Sequence, residues 1–443
     1  VQRCSTSTID PTATSGGQVD QNNGGCAFRG AKLNLQPITD ALHLVHGPIV
    51  CQGHSWQSRP TASSGSTLHR ISFTTALSDL DVVLGAEKRL ARSLDALAAK
   101  YDPPAIFVYS TCVPAMSGDD IRAVCKAATV RLKRPVLAVE APGFSGGKLD
   151  GVQIAARVLI DDVIGTREPD CTTSTDVLLI AENNVAGEAS AIAALLNRCG
   201  IRVLASIPGD GRFNAIAGAH RARASIVHCS QSVAGLGPDL MQRYGIPYAA
   251  VSFYGAANTS DALRRIAQLL IERGATAELA ARVDAIVTDS ELAMQRRLAP
   301  ILPRLRNKRA LLMTGGVKGW SLADTLLRLG MRLAAVSTQK TSAEDRCKLE
   351  AVVAGRCPLF DDIEQEAFET CLASGDIDLV LGGGCCRFTV QRLLVPWVEI
   401  NHERHIALTG YDGSVALAEA MANALDSPVL AALRAEAQTA RPA

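Results

Sequence analysis

Short apolar runs alternate with helix-periodic stretches in three successive sets. That alternation restricts the fold more than any other feature of the chain. In the first set, residues 105–109 and 135–140 read as buried strands, with a helical pattern over 119–132 between them. A second set begins at Asp176, with strands at 177–181, 202–207, 224–228 and 249–253 and a helix at 187–199. A third begins at Arg309, with strands at 310–313, 333–337, 379–382 and 397–400 and helices near 343–354, 364–373 and 387–394. Strands that are apolar throughout, each followed by a helix, belong to parallel sheets covered on both faces. Three doubly wound α/β domains are therefore expected, with ligands gathering at the carboxyl ends of the strands. The 443 residues agree, at about 150 residues per domain. The expected boundaries are 25–170, 171–300 and 301–443. Residues 1–24 form a polar, flexible extension too poor in apolar groups to fold alone. Elsewhere, 38–45 reads as a short helix, 52–70 as a long polar loop and 79–100 as a helix.

Charge excludes several functions. Lys and Arg number 45 against 44 Asp and Glu, so neither a nucleic-acid-binding face nor an acidic tail is expected. No apolar run reaches the ~18 residues of a membrane span. The start of the chain lacks the pattern of an export signal. A cytoplasmic location is expected, where the 13 cysteines would stay reduced.

Three of those cysteines lie in Gly- or Pro-bearing turns: Gly25-Cys26-Ala27-Phe28, His46-Gly47-Pro48-Ile49-Val50-Cys51 and Ser110-Thr111-Cys112-Val113-Pro114. Such turns let backbone N–H groups approach a thiolate, so Cys26, Cys51 and Cys112 suit ligation of a metal cluster. Three buried thiols are the plain alternative. Three ligands are one short of a four-cysteine site, so another chain would have to complete it. A second constellation pairs Val227-His228-Cys229-Ser230, at a strand end, with Asn401-His402-Glu403-Arg404-His405 after the last strand. A thiolate and an imidazole could hold a cluster from opposite sides. A core cysteine and solvated histidines would be the plain reading. Gly315-Gly316-Val317-Lys318 and Gly382-Gly383-Gly384 could cradle an anion through backbone N–H groups. Neither has P-loop spacing, so ATP binding by this chain is not expected. Cys385-Cys386 follows the triple glycine. Adjacent cysteines rarely hold one metal, so packing is the expected role.

These motifs carry a resemblance. The three cysteine turns, Val163-Ile164-Gly165-Thr166-Arg167-Glu168-Pro169, Ser252-Phe253-Tyr254-Gly255, Thr314-Gly315-Gly316-Val317-Lys318 and Gly410-Tyr411-Asp412-Gly413 resemble the nitrogenase superfamily. The match is nearest to the α-like subunits of the scaffold on which the nitrogenase cofactor matures. The α subunit of the molybdenum–iron protein is similar but more distant. The resemblance implies three Rossmann-like α/β domains with parallel sheets around a central metallocluster cleft. It implies that Cys26, Cys51 and Cys112 bind half of an iron–sulfur cluster shared with a β-type subunit, either four-iron or P-cluster-like. Cys229 would bind a larger carbide-centred iron–sulfur cofactor, with Arg59 beside it. A heterotetramer with the β-type subunit is implied, together with a homodimeric ATP-hydrolysing iron protein as electron donor.

The chain departs from the scaffold pattern at His402 and His405, which restore imidazoles where scaffold subunits usually lack them. Gln153 stands about where the catalytic α subunit keeps a histidine. This mosaic leads to the expectation of a catalytic α-type subunit of a nitrogenase-like reductase, specifically methylthio-alkane reductase with reductive C–S cleavage. Cys229 and His402 would bind its cofactor, and Arg59, His402 and His405 would be catalytic. The competing reading is a scaffold subunit for iron–molybdenum cofactor biosynthesis.

Overall fold

The computed structural model describes residues 25–56, 61–228, 233, 235–339, 341–361 and 363–439. Arg59 and Cys229 lie outside these, as do residues 1–24. Three parallel sheets form, as an α/β pattern with continuously apolar strands requires. The first contains β1 (Leu42–His46), β2 (Phe73–Thr74), β3 (Ile106–Ser110) and β4 (Val136–Val139), in the order β2-β1-β3-β4. The second contains β5 (Asp176–Ile180), β6 (Arg202–Ile207), β7 (Ala224–Val227) and β8 (Tyr248–Ala250), in the order β6-β5-β7-β8. The third contains β9 (Arg309–Leu312), β10 (Arg332–Ser337), β11 (Leu359–Phe360), β12 (Leu379–Gly382) and β13 (Trp397–Glu399), in the order β11-β10-β9-β12-β13.

Each sheet starts near its middle, builds outward to one side, then crosses back to the other. The strand order thus reverses at β1/β3, β5/β7 and β9/β12. In open parallel sheets the crevice outside the strand ends at such a reversal is where ligands bind. Cys51 follows β1 and Cys112 follows β3. The cysteine pair follows β12. By contacts the chain divides into two compact units. One runs to Ala250 and adds Ile266–Leu279, so it holds the first two sheets. The other holds Val251–Arg265 and Ala280 onward, with the third sheet.

Several local expectations need correction. The stretch 38–45 is not a helix but leads into β1, whose five residues are all buried. Leu42, His43, Leu44 and Val45 are buried on both faces of the sheet, and a short run buried throughout cannot be told from a buried helix by periodicity. Cys51 lies not in a turn but in helix Ile49–Trp56. The stretch 79–100 breaks at Gly85 into helices Asp79–Leu84 and Glu87–Tyr101.

In the first unit, helix Ala27–Leu35 lies against helix Lys148–Asp162 at a crossing made by glycines. A Cβ on Gly30 would stand 2.0 Å from the Lys148 carbonyl oxygen, and one on Gly151 would stand 2.0 Å from that of Ala27. Beside this crossing His43 is buried and stacked on Phe107 at 5.4 Å. Its Nε2 faces the Ile38 carbonyl at 3.0 Å and its Nδ1 faces the Tyr109 hydroxyl at 2.7 Å. A carbonyl only accepts, so Nε2 carries the proton and Nδ1 accepts from Tyr109. Burial lowers the His43 pKa from 6.5 to about 3. The unfolded chain therefore binds this proton first. The stability is complete above about pH 6.5 and declines as pH falls from there toward 3, by up to about 1.4 kcal/mol per pH unit. Melting curves at pH 7 and pH 5 are expected to differ by about 2 kcal/mol from this group. His43→Gln, although less stable at pH 7, should show the shallower pH dependence. An equal slope in both proteins would remove His43 from the account.

Candidate metal centre

The first reversal point builds the three-cysteine site. β1 ends at His46 and β3 at Ser110, paired in register. The two exits are tied together. The Thr111 N–H and hydroxyl both reach the His46 carbonyl, at 3.2 and 3.0 Å. A Cβ on Gly47 would meet Thr111 Oγ1 at 2.0 Å, so the turn toward Cys51 requires glycine. The buried His46 ring is held between Thr75 Oγ1 and Asp119 Oδ2, each at 3.1 Å. This lock fixes where helices Ile49–Trp56 and Cys112–Ser117 begin, and with them two thiols. The third, Cys26, caps helix Ala27–Leu35 and is bridged to Gly147.

Gly143 lies beside two of the three. Its N–H donates to Cys112 Sγ at 3.1 Å. A Cβ added there would lie 2.9 Å from Cys112 Sγ and 3.3 Å from Cys26 Sγ. All three thiols are half-buried and free of disulfides. Burial, with the neighbouring charges of Cys112 and Cys26, pushes the Cys51 thiol up. Three thiolates in one place repel unless a cationic core lies among them. Among the described residues no three Cys, His, Asp or Glu side chains converge on a position for a single metal ion. The Gly143 N–H on Cys112 Sγ, and a backbone that leaves no room for a side chain beside two of the sulfurs, suit thiolates that hold a metal cluster.

An apolar rim surrounds this centre, and the sequence reading overlooked it. Val50 is 74% exposed beside Cys51, Met116 79% on the Cys112 helix and Phe144 62% beside Gly143. Helix Asp79–Leu84, which touches the Cys112 helix, buries none of its residues, and Val83 is 78% exposed. Val82 and Leu84 lie at helix spacing in the sequence, yet both are exposed. The signal was available, because Leu80, Val82, Val83 and Leu84 surround this short helix instead of lining one face.

At the second constellation, described residues stop at His228, which is buried. His402 and His405 are both exposed. The side chain turned inward from their loop is Arg404, whose guanidinium donates to the carbonyls of Ile400 and Asn401. Asn401 accepts from Thr314 Oγ1 at 3.1 Å, tying this loop to the end of β9. The sequence reading gave Arg404 no role. Among the described residues the three cysteines are gathered in the first unit, and His402 and His405 are exposed in the second.

The fold and the three-thiol centre are those of a nitrogenase-type metallocluster protein. Residues 26–426 match the nitrogenase component 1 type oxidoreductase family, and the chain belongs to that family. It is 47% identical, over 93% of its length and 75% of the relative's, to the nitrogenase iron-molybdenum cofactor biosynthesis protein NifE of Bradyrhizobium diazoefficiens. It is 43% identical to the NifE of Sinorhizobium fredii, covering 93% of this chain and 83% of that one. It is 41% identical to that of Klebsiella pneumoniae, covering 91% and 90%. Among solved structures, nitrogenase Cp1 at pH 6.5 superposes with a TM-score of 0.82 at 22% identity, covering 94% of this chain and 90% of that one, which shows the fold.

These relatives overturn the expectation of methylthio-alkane reductase. Over more than nine-tenths of the chain the similarity runs to proteins named for cofactor biosynthesis. No helix of the described residues is long and apolar enough to cross a membrane.

Proposed function

We propose that this chain is the α-type subunit of a cytoplasmic scaffold on which the iron–molybdenum cofactor of nitrogenase is assembled. The observation that carries this reading is the 47% identity, nearly end to end, to a protein named for that biosynthesis, against 22% to nitrogenase Cp1. In this role Cys26, Cys51 and Cys112 hold half of an iron–sulfur cluster, which supplies electron transfer when bound. The partner is a β-type subunit, in a heterotetramer, and the apolar rim of Val50, Val83, Met116 and Phe144 supports its docking around the shared cluster. Cys229 holds the cofactor under assembly, with Arg59 beside it. His402 and His405 are candidate imidazole donors from the protein surface, and a scaffold must release what it holds. An ATP-hydrolysing iron protein is the electron donor. The domains follow the three sheets, at 25–170, 171–300 and 301–443.

The test is transfer. The α/β pair, purified anaerobically, is mixed with cofactor-free nitrogenase, iron protein, molybdate, an organic acid, ATP and reductant. Substrate reduction by the recipient should rise from background to a level that scales with the amount of the pair added. A recipient that stays at background, while authentic isolated cofactor activates it, would overturn the reading.

A further inference from the structure

The amino ends of the third sheet border a cleft that the metal centre does not use. Open parallel sheets bind their usual ligands outside the carboxyl ends of the strands, so a cavity at the opposite edge is a separate feature. This one has a volume of about 510 Å³, within the range of small-molecule sites. It forms where the chain enters β9, β12 and β13, at Lys308, Asp378 and Pro396. Helix Pro428–Thr439 lines one side through Arg434, whose Nε donates to the Leu394 carbonyl at 2.9 Å, and through Ala437. The walls include the buried side chains of Leu372, Ile377 and Val395. Two cations and one carboxylate share this space, and the carboxylate is already engaged. One oxygen of Asp378 accepts the Arg309 N–H at 2.7 Å, and the other lies 3.5 Å from Lys308 Nζ. Among the described residues the Nη groups of Arg434 meet no carboxylate.

We propose that this cleft binds a small organic acid with an apolar body, its carboxylate on Arg434 and its hydrocarbon part against Leu372, Ile377 and Val395. The lining carries one positive charge in excess, and Arg434 has donors to spare. A guanidinium fork matches the two oxygens of a carboxylate. A single excess charge suits a monoanion better than a phosphate dianion. Aliphatic walls gain from covering an apolar body and lose by covering a polar one, so a sugar or a polycarboxylate fits poorly. Lys308 adds charge to the same cleft without being committed to a short ion pair. The site does not depend on the scaffold reading.

The test uses the full chain in its complex, with its iron–sulfur clusters in place, titrated anaerobically with octanoate in a calorimeter. The native complex is expected to bind octanoate saturably. Arg434→Gln should bind it more weakly by roughly tenfold or more, through loss of a charged hydrogen-bonding partner. Ala437→Trp, which fills the cleft from the helix side, should abolish binding. Both residues are exposed, so both variants should fold normally, as circular dichroism would verify. Inorganic phosphate should not displace octanoate. Absence of saturable octanoate binding by the native complex, equal binding by native protein and either folded variant, or displacement by phosphate would each overturn the proposal.

Discussion

Replacing Gly151 with alanine is expected to destabilise the first compact unit by about 3 kcal/mol, at the upper end of the cost of overpacking a well-filled core. The added methyl would lie 2.0 Å from the Ala27 carbonyl oxygen and 2.7 Å from the Ala31 nitrogen. An ordinary carbon contact is about 3.5 to 4 Å, so more than 1 Å of movement is needed. The obstructing atoms are backbone atoms of helix Ala27–Leu35, and eight of its nine residues are buried. No side chain can rotate aside, so the helices must separate. Gly30 makes the reciprocal contact with the Lys148 carbonyl. Gly30→Ala should cost about as much, and the double variant less than the sum, because both substitutions break the same crossing. Thermal melts of cluster-free protein measure this. The melting temperature should fall by roughly 5–10 °C in each single variant, and an unchanged value would mean that the crossing is looser than described.

The same crossing shows why part of this structure was legible in the sequence and part was not. The sheets were legible because fully buried parallel strands are apolar throughout, as with the Leu, Val and Ile of β5. Cys26, Cys51 and Cys112 stood out in the sequence because each lies within three residues of a glycine or proline, the neighbourhood that a close backbone approach to a thiol needs. What lies against the sulfurs was not legible. Gly143 lies 31 residues from Cys112, and nothing in its local sequence marks it as the residue whose N–H meets that sulfur. The same holds for Gly30 and Gly151, whose role depends on a helix more than a hundred residues away. β1 was misread because a short run buried on both faces shows no alternation and carries no period that separates strand from helix. The apolar rim was missed because helix spacing marks apolar residues without saying which of them stay exposed, and those of helix Asp79–Leu84 do. In the loop after β13 the sequence drew attention to the imidazoles of His402 and His405 and gave no sign that Arg404 is the side chain buried there, because burial in a loop follows its tertiary path rather than residue type.

With Cys26, Cys51 and Cys112 holding an iron–sulfur cluster as proposed, Gly143→Ala is expected to remove most of its iron while leaving the fold intact. The new methyl would stand 2.9 Å from Cys112 Sγ, so that sulfur must shift by roughly 0.8 Å to restore an ordinary contact of about 3.7 Å. Metal sites hold their ligand distances to within about 0.2 Å, so a shift four times larger cannot be absorbed by a thiolate bound to iron. In cluster-free protein the cost is small. Cys112 is half-buried and can change rotamer, and the backbone at Gly143 is not left-handed. A stability change within about 1 kcal/mol is expected there. Cys112→Ala removes the ligand outright and sets the comparison. Iron content and the cluster's visible absorption in the purified α/β pair should fall nearly as far in Gly143→Ala as in Cys112→Ala, and the cluster-free melting temperature should stay near native in both. Full iron loading in Gly143→Ala would mean that the sulfur of Cys112 does not face the metal from beneath this glycine. An equal loss of iron and of cluster-free stability would show a packing role in place of a ligand-positioning one.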